Sequence, residues 1–171
     1  MMDLIFKMEN ILYLKSKKIG EINMYKKILS FIVNENNQIL LLRNNPEDPK
    51  HGGDIWYTVT GGFDDNETDG RKVVIREVKE ETNLDVKEAI YLNWIYQYTF
   101  NDIDCMEYAY ISFVENGDII LNEESIDYKW CNLDEFINET TWFGDVSILR
   151  NVLNYAINKK FYFYIEKIEK Y

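Results

Sequence analysis

Histidine occurs once in the 171 residues, at His51, and cysteine and proline twice each. Any serine or cysteine triad would need His51 as its base, and no local motif around it supports one. Cys105 and Cys131 have neither a CxxC spacing nor a secretory context, so two buried reduced thiols are expected rather than a disulfide framework or a zinc site. No apolar run approaches the roughly 18 residues of a membrane span, and Lys7, Glu9 and Asn10 interrupt the apolar N-terminus. Neither a transmembrane helix nor a signal peptide is expected, and the cytoplasm is the natural setting.

Positive charge is also scarce: 19 Lys and Arg stand against 30 Asp and Glu, a formal net charge of -11. A nucleic-acid polymer is recognised through a basic stripe or patch, so this balance disfavours one as partner. The anionic ligand to expect is small, and it must enter the negative field with metal cations, local basic residues or both. Against these absences, 46% hydrophobic and 15% aromatic residues describe one globular domain with enough chain for a sizeable core.

The chain is organised around GGFDDNETDGRKVVIREVKEETNL, residues 61–84. Trp56 to Thr60 reads as a short strand, Gly61-Gly62 breaks it, and an acidic helix follows. Spacings of three and four place Glu77, Glu80 and Glu81 on one helical face, with Val74, Ile75 and Val78 as an adjacent apolar stripe. Like charges so spaced cost an isolated helix roughly 0.2 to 0.5 kcal/mol per pair, a penalty that a bound cation reverses. Hard divalent ions favour carboxylate oxygens, and magnesium takes one or two of them while phosphate and water complete its shell. The triplet alone reads first as a solvated acidic face; strand, glycine turn and acidic helix in one unit favour a metal-phosphate site.

This unit resembles the Nudix box, in which a glycine is followed after five residues by glutamate and, after seven more, by Arg-Glu-apolar-x-Glu-Glu-x-Gly-apolar. Counted from Gly62, the residues Arg76, Glu77, Val78, Glu80, Glu81 and Leu84 fall on the pattern. There are two departures. The family's first glutamate falls on Thr68, with Glu67 one residue early; a local shift of the loop returns that carboxylate to its place and leaves Thr68 as helix N-cap. Asn83 replaces the glycine at the helix end, where left-handed geometry is expected and Asn is the usual second choice.

The resemblance implies an α+β fold, a Nudix-like α/β/α sandwich with a mixed β-sheet, across residues 25–158. It implies metal-dependent hydrolysis of a diphosphate linkage in a nucleoside diphosphate linked to another group, a nucleoside triphosphate before others. Mg²⁺ or Mn²⁺ would be held by Glu80 and Glu81, with Glu77 as ligand or activator of water and the Gly61 carbonyl as a further ligand. Arg76 would orient the loop through an ion pair with Glu67. Glu124, six residues before Trp130, is the expected additional carboxylate, with Glu123 as its immediate competitor. The alternative is a non-catalytic nucleotide-sensing module, in which the displaced Glu67 spoils the metal geometry.

Around this centre, residues 1–24 form an N-terminal extension, a hairpin or a short helix. Lys26 to Val33 and Gln38 to Arg43 read as a strand pair about the turn Asn34 to Asn37, and Asn44 to Asp54 as a long loop. His51 in that loop and Arg43 before it are candidates for substrate contact, Arg43 with a surface ion pair as its alternative. Ala89 to Phe100, Cys105 to Val114 and Ile126 to Cys131 read as strands, Ile119 to Leu121 as another short element, and Leu133 to Ile137 as a helix. A last helix shows Ile148, Leu149, Val152, Leu153, Ala156 and Ile157 as its apolar face. Residues 159–171 are an aromatic extension, an edge strand or a subunit contact of a homodimer. Trp56, Tyr57, Trp94, Tyr96, Tyr98 and Trp142 are each either a stacking surface for a nucleobase or part of the core.

Overall fold

Apolar residues fill both faces of the first strand, β1 (Tyr25–Val33): Leu29, Phe31 and Val33 join one core, Ile28 and Ile32 the other, and all are fully buried. A strand apolar on both sides has to be covered on both sides. The computed structural model, which describes residues 24–47, 53–100 and 102–159, shows how. On one face Val73, Val74 and Val78 of α1 (Gly70–Thr82) close over Ile28, Ile32 and Leu42. On the other, Phe136 of α2 (Leu133–Glu139) and Leu149 and Leu153 of α3 (Val146–Ile157) close over Leu29, Phe31 and Ile111. The result is an α/β/α sandwich.

The sheet between the helices has seven strands and is mixed. β1 runs parallel to β6 (Ile103–Val114) over its whole length, from Tyr25 opposite Cys105 to Val33 opposite Phe113. β5 (Val86–Phe100) pairs antiparallel with β6. At the other end of β1, the Asn34 side chain accepts hydrogen bonds from the Asn36 and Gln38 backbones at 2.9 and 3.0 Å, and the chain returns as β2 (Ile39–Asn44). β2 in turn pairs antiparallel with β7 (Ser125–Cys131).

The single strand expected over Trp56 to Thr60 is in fact two. β3 (Trp56–Tyr57) pairs with β2, and β4 (Val59–Gly62) pairs with β1. Thr58 sits at the change of partner, where its hydroxyl donates to the Ser30 carbonyl. The short element expected at Ile119 to Leu121 is irregular. Its backbone is used by the end of α1 instead, with the Ile120 N–H donating to the Thr82 carbonyl at 3.1 Å.

Asp69, not Thr68, caps α1: its carboxylate accepts from the Arg71 N–H at 3.0 Å. Asp69→Ala is therefore expected to cost about 1 kcal/mol in urea unfolding, whereas Thr68→Ala is expected to be nearly neutral. Asn83 holds φ at 61°, the left-handed end that the sequence called for. Two apolar stripes are narrower than expected. Ile75 is 48% and Ile148 49% exposed, because each lies at the rim of its helix's sheet-facing arc; in α1, Val73 takes the buried position on the opposite rim. Cys105 and Cys131 are buried thiols, and neither is in a disulfide. Residues 1–23, His51 and 160–171 lie outside the described residues, and so do the expectations attached to them.

Candidate active site

The Gly61 and Gly62 pair ends β4 directly beneath α1, and their two faces differ. In-register pairing puts Gly61 opposite Ile28 and Gly62 opposite Lys27, so Gly61 faces α1 and Gly62 the other side of the sheet. A Cβ on Gly61 would stand 2.0 Å from the Glu77 carboxyl carbon, so the absence of a side chain there is what lets Glu77 lie down on the strand.

Arg76 is the hub of the polar network. Its Nε and Nη2 donate to the two Glu67 oxygens at 3.1 and 2.8 Å, Nη2 also to the Gly62 carbonyl at 2.9 Å, and Nη1 to Glu77 at 2.7 Å and Glu80 at 3.2 Å. Glu67 also accepts from the Asp64 N–H at 2.9 Å, which folds the loop back on itself. The one-residue shift of Glu67 thus leaves its carboxylate paired with Arg76, and the expected ion pair is present. The Arg76 guanidinium holds the Glu67 carboxyl below the usual carboxylate range.

Glu77 and Glu81 behave in the opposite way. Burial pushes the Glu77 carboxyl up to about 7, against the pull of Arg76 and aided by the negative charges of Glu80 and Glu124. Glu81 is only 6% exposed and stands at the centre of the arc of α1 that meets the sheet. Burial, then Glu124 and Glu77, push it well above the usual range, outweighing the Thr60 backbone and Lys27. Its Oε1 is buried with no hydrogen-bond partner. An orphaned buried carboxylate oxygen costs about 1 to 3 kcal/mol or more unless something arrives to meet it.

Glu124 is the member of its pair that reaches this cluster. It is half-buried and its charge acts on both Glu77 and Glu81, while Glu123 is exposed. The Asn45 N–H, donating to the Glu124 carbonyl at 2.8 Å, fixes that loop against the end of β2. Arg43 is taken up by Asp54 through a two-pronged pair of 2.7 and 2.8 Å, the ion pair named above as its alternative role.

Among the described residues no three Asp, Glu, His or Cys side chains already converge to grip a cation, since Arg76 draws Glu77 and Glu80 toward itself. The donor set nevertheless fits a hard divalent ion. Glu77, Glu81 and Glu124 supply hard oxygen donors whose mutual repulsion a dication would relieve, and one of those oxygens is orphaned. Sequence reasoning passed over Lys27, beside the exposed Lys26 at the start of β1, and Glu107, a buried carboxyl within β6.

Comparison with known proteins agrees with this geometry. A family model described as the NUDIX domain matches residues 26–152. A dihydroneopterin triphosphate diphosphatase of Haemophilus influenzae is 28% identical over 133 residues, 70% of this chain and 80% of that protein. An NAD-capped RNA hydrolase of Actinobacillus succinogenes is 27% identical over 130 residues, 74% of this chain but only 46% of that protein. A MutT protein of Methanosarcina mazei superposes with a TM-score of 0.63 at 20% identity, over 82% of this chain and 97% of that one. An Ap4A hydrolase of C. elegans gives 0.61 at 21%, over 81% and 97%; at such identities these two structures speak for the fold alone. Because the family model spans most of the sequence and includes the Gly62 to Leu84 motif, this chain belongs to the Nudix family.

Proposed function

We propose that this Nudix-type pyrophosphohydrolase cleaves a nucleoside triphosphate or a close triphosphate analogue, with Mg²⁺ or Mn²⁺ as its metal and the cytoplasm as its setting. The observation that carries the reading is the buried, partnerless Oε1 of Glu81 beside Glu77 and Glu124. Glu81, Glu80 and Glu124 would hold the divalent ion with Glu77 and the Gly61 carbonyl. The ion would acidify a water and offset charge on the diphosphate.

The chain's own residues have separable tasks. Glu77, whose carboxyl burial raises in the metal-free protein and a bound dication would hold ionised, would accept the proton of the attacking water. That water attacks phosphorus, the bridging P–O bond breaks, and a nucleotide and a phosphate product leave with the elements of one water added. Arg76 positions the site by tying the Glu67 loop to the helix and does not itself touch phosphate. That Glu67 reaches Arg76 despite its shift supports the catalytic reading over a non-catalytic sensor.

The dihydroneopterin triphosphate diphosphatase relative adds a pterin triphosphate to the substrates worth testing. The test is a panel of nucleoside triphosphates, dihydroneopterin triphosphate, dinucleoside polyphosphates and nucleotide sugars, with Mg²⁺ or Mn²⁺ and products resolved by chromatography. A triphosphate is expected to turn over fastest, with activity lost in chelator and restored by either ion. Tight binding without turnover across the panel, or turnover indifferent to chelation, would overturn the reading.

A further inference from the structure

Besides Glu81 Oε1, two buried side-chain polar atoms among the described residues lack a hydrogen-bond partner: Tyr96 Oη and Trp142 Nε1. They belong to one cluster, on the face of the sheet opposite α1, with ring centroids 5.5 Å apart. Each orphan costs about 1 to 3 kcal/mol, and two together mark a place arranged for something to bind. Trp94 packs against both, at 4.8 Å from Tyr96 and 5.7 Å from Trp142, and Tyr57 stacks on Trp142 at 6.2 Å and 27°.

Into the same cluster β6 sends a carboxyl. Glu107 is 7% exposed and in cross-strand register with Tyr96, and its charge acts on the hydroxyls of Tyr57 and Tyr96. Burial raises it, partly countered by Lys27, to about 6. Gly62, Lys27, Glu107 and Tyr96 form one row in register across β4, β1, β6 and β5. Gly62 receives Arg76, Glu107 stands two strand spacings away, roughly 10 Å, and Lys27 acts on both Glu81 and Glu107. The row therefore runs from the Gly62 carbonyl that Arg76 holds to the aromatic cluster, with the Lys27 cation between, while the carboxylates of α1 lie on the other face of the sheet at the Gly61 end of β4.

We propose that this cluster is where the enzyme reads the heterocycle of its substrate, and that Glu107 selects a ring presenting an N–H and an adjacent amino group beside a carbonyl, the edge shared by guanine and pterins. The proposal rests on the pyrophosphohydrolase reading for the triphosphate end of the ligand. An ionised carboxylate is acceptor-only and matches two parallel N–H donors, while the indole N–H of Trp142 needs an acceptor such as the ring carbonyl. The Tyr96 hydroxyl serves either way, and the aromatic walls supply a stacking face. Adenine would turn a ring-nitrogen lone pair toward Glu107 and be rejected. Lys27 would lie along the path of the α-phosphate.

The test compares kcat/KM for GTP, ITP, ATP and a reduced pterin triphosphate on the wild type, Glu107→Gln and Tyr96→Phe; ITP lacks only the exocyclic amino group. Calorimetric binding of GMP in chelator gives a readout that needs no turnover. The wild type is expected to prefer GTP to ITP and ATP by at least about tenfold, since a site built to bond a donor rejects the analogue lacking it. In Glu107→Gln, GTP is expected to fall about 10- to 100-fold and the GTP to ITP ratio to approach one. Tyr96→Phe, which removes only the orphaned hydroxyl, is expected to lower GTP several-fold with a raised melting temperature. The larger of the GTP and pterin rates assigns the source of the ring.

A GTP to ITP ratio that Glu107→Gln leaves unchanged, or equal slowing of every substrate as a merely structural role would give, overturns the proposal. Turnover of triphosphates without discrimination among bases defeats the ring site and leaves the hydrolase reading standing. GMP binding that Glu107→Gln abolishes, in a protein that turns over no triphosphate, does the reverse.

Discussion

Glu77→Gln is expected to lower turnover at least about a hundredfold, a barrier increase of roughly 2.7 kcal/mol, with a smaller change in substrate binding. The amide keeps the size of the side chain but can neither accept the proton of the attacking water nor offer an anionic oxygen. Folding should survive, because Arg76 retains Glu67, Glu80 and the Gly62 carbonyl as partners. Single-turnover rates and circular dichroism test this; a folded variant with wild-type chemistry would remove Glu77 from the site.

The same substitution should also show in stability. Glu77 has a carboxyl near 7 in the folded protein against an ordinary value of 4.5. A raised value means that the folded state binds the proton more tightly, so this contribution is complete below pH 4.5 and is lost as the pH rises through 7. In chelator, urea unfolding should accordingly show stability falling across that window by something of the order of 1 to 3 kcal/mol, Glu81 adding in the same direction. Glu77→Gln should flatten the fall, and so should a saturating divalent ion, which favours the ionised carboxyls.

Gly61→Ala is expected to be nearly as damaging to turnover, about a hundredfold, for a steric reason. The added methyl would meet the Glu77 carboxyl carbon and Oε1 at 2.0 Å and Cγ at 2.3 Å. Gly61 is held in register opposite Ile28 of β1, which limits its retreat. The Glu77 side chain must move, at a stability cost of about 1 to 3 kcal/mol. Gly62→Ala is the comparison: its methyl meets Tyr25 Oη at 2.1 Å, the far end of a side chain that can swing away. Its loss should stay below about tenfold. Equal rates for the two variants would show that the clash with Glu77 has no bearing on the chemistry.

Most of the fold could be read along the chain because it is written locally. β1, β2, β5 and β6 carry long apolar or alternating runs, and α3 carries a helical repeat, so each was expected within a few residues of where it lies. The misreadings fall where a distant partner decides. Trp56 to Thr60 has the composition of one strand, but β2 and β1 claim different halves of it. Ile119 to Leu121 has strand-like residues, but its backbone serves the end of α1 and finds no strand to join. Thr68 and Asp69 are both good caps, and only the first turn of the folded helix shows whose oxygen meets the N–H of Arg71.

The site divides in the same way. Sequence by itself determined that Glu77, Glu80 and Glu81 share a face of α1 and that two glycines precede it, since helical period and the freedom of glycine are properties of a few neighbouring residues. Tertiary structure alone decided the surroundings of each carboxylate: Glu67 paired with Arg76, Glu77 buried against the strand and raised by that burial, Glu81 buried with an oxygen unmet, Glu124 half-buried and Glu123 exposed. It also set Glu107 in one row with Lys27 and Gly62, residues 80 and 45 positions away from it along the chain. Burial and strand register are sums over contacts between distant segments, and a charge takes its character from them, so no local pattern could have carried either.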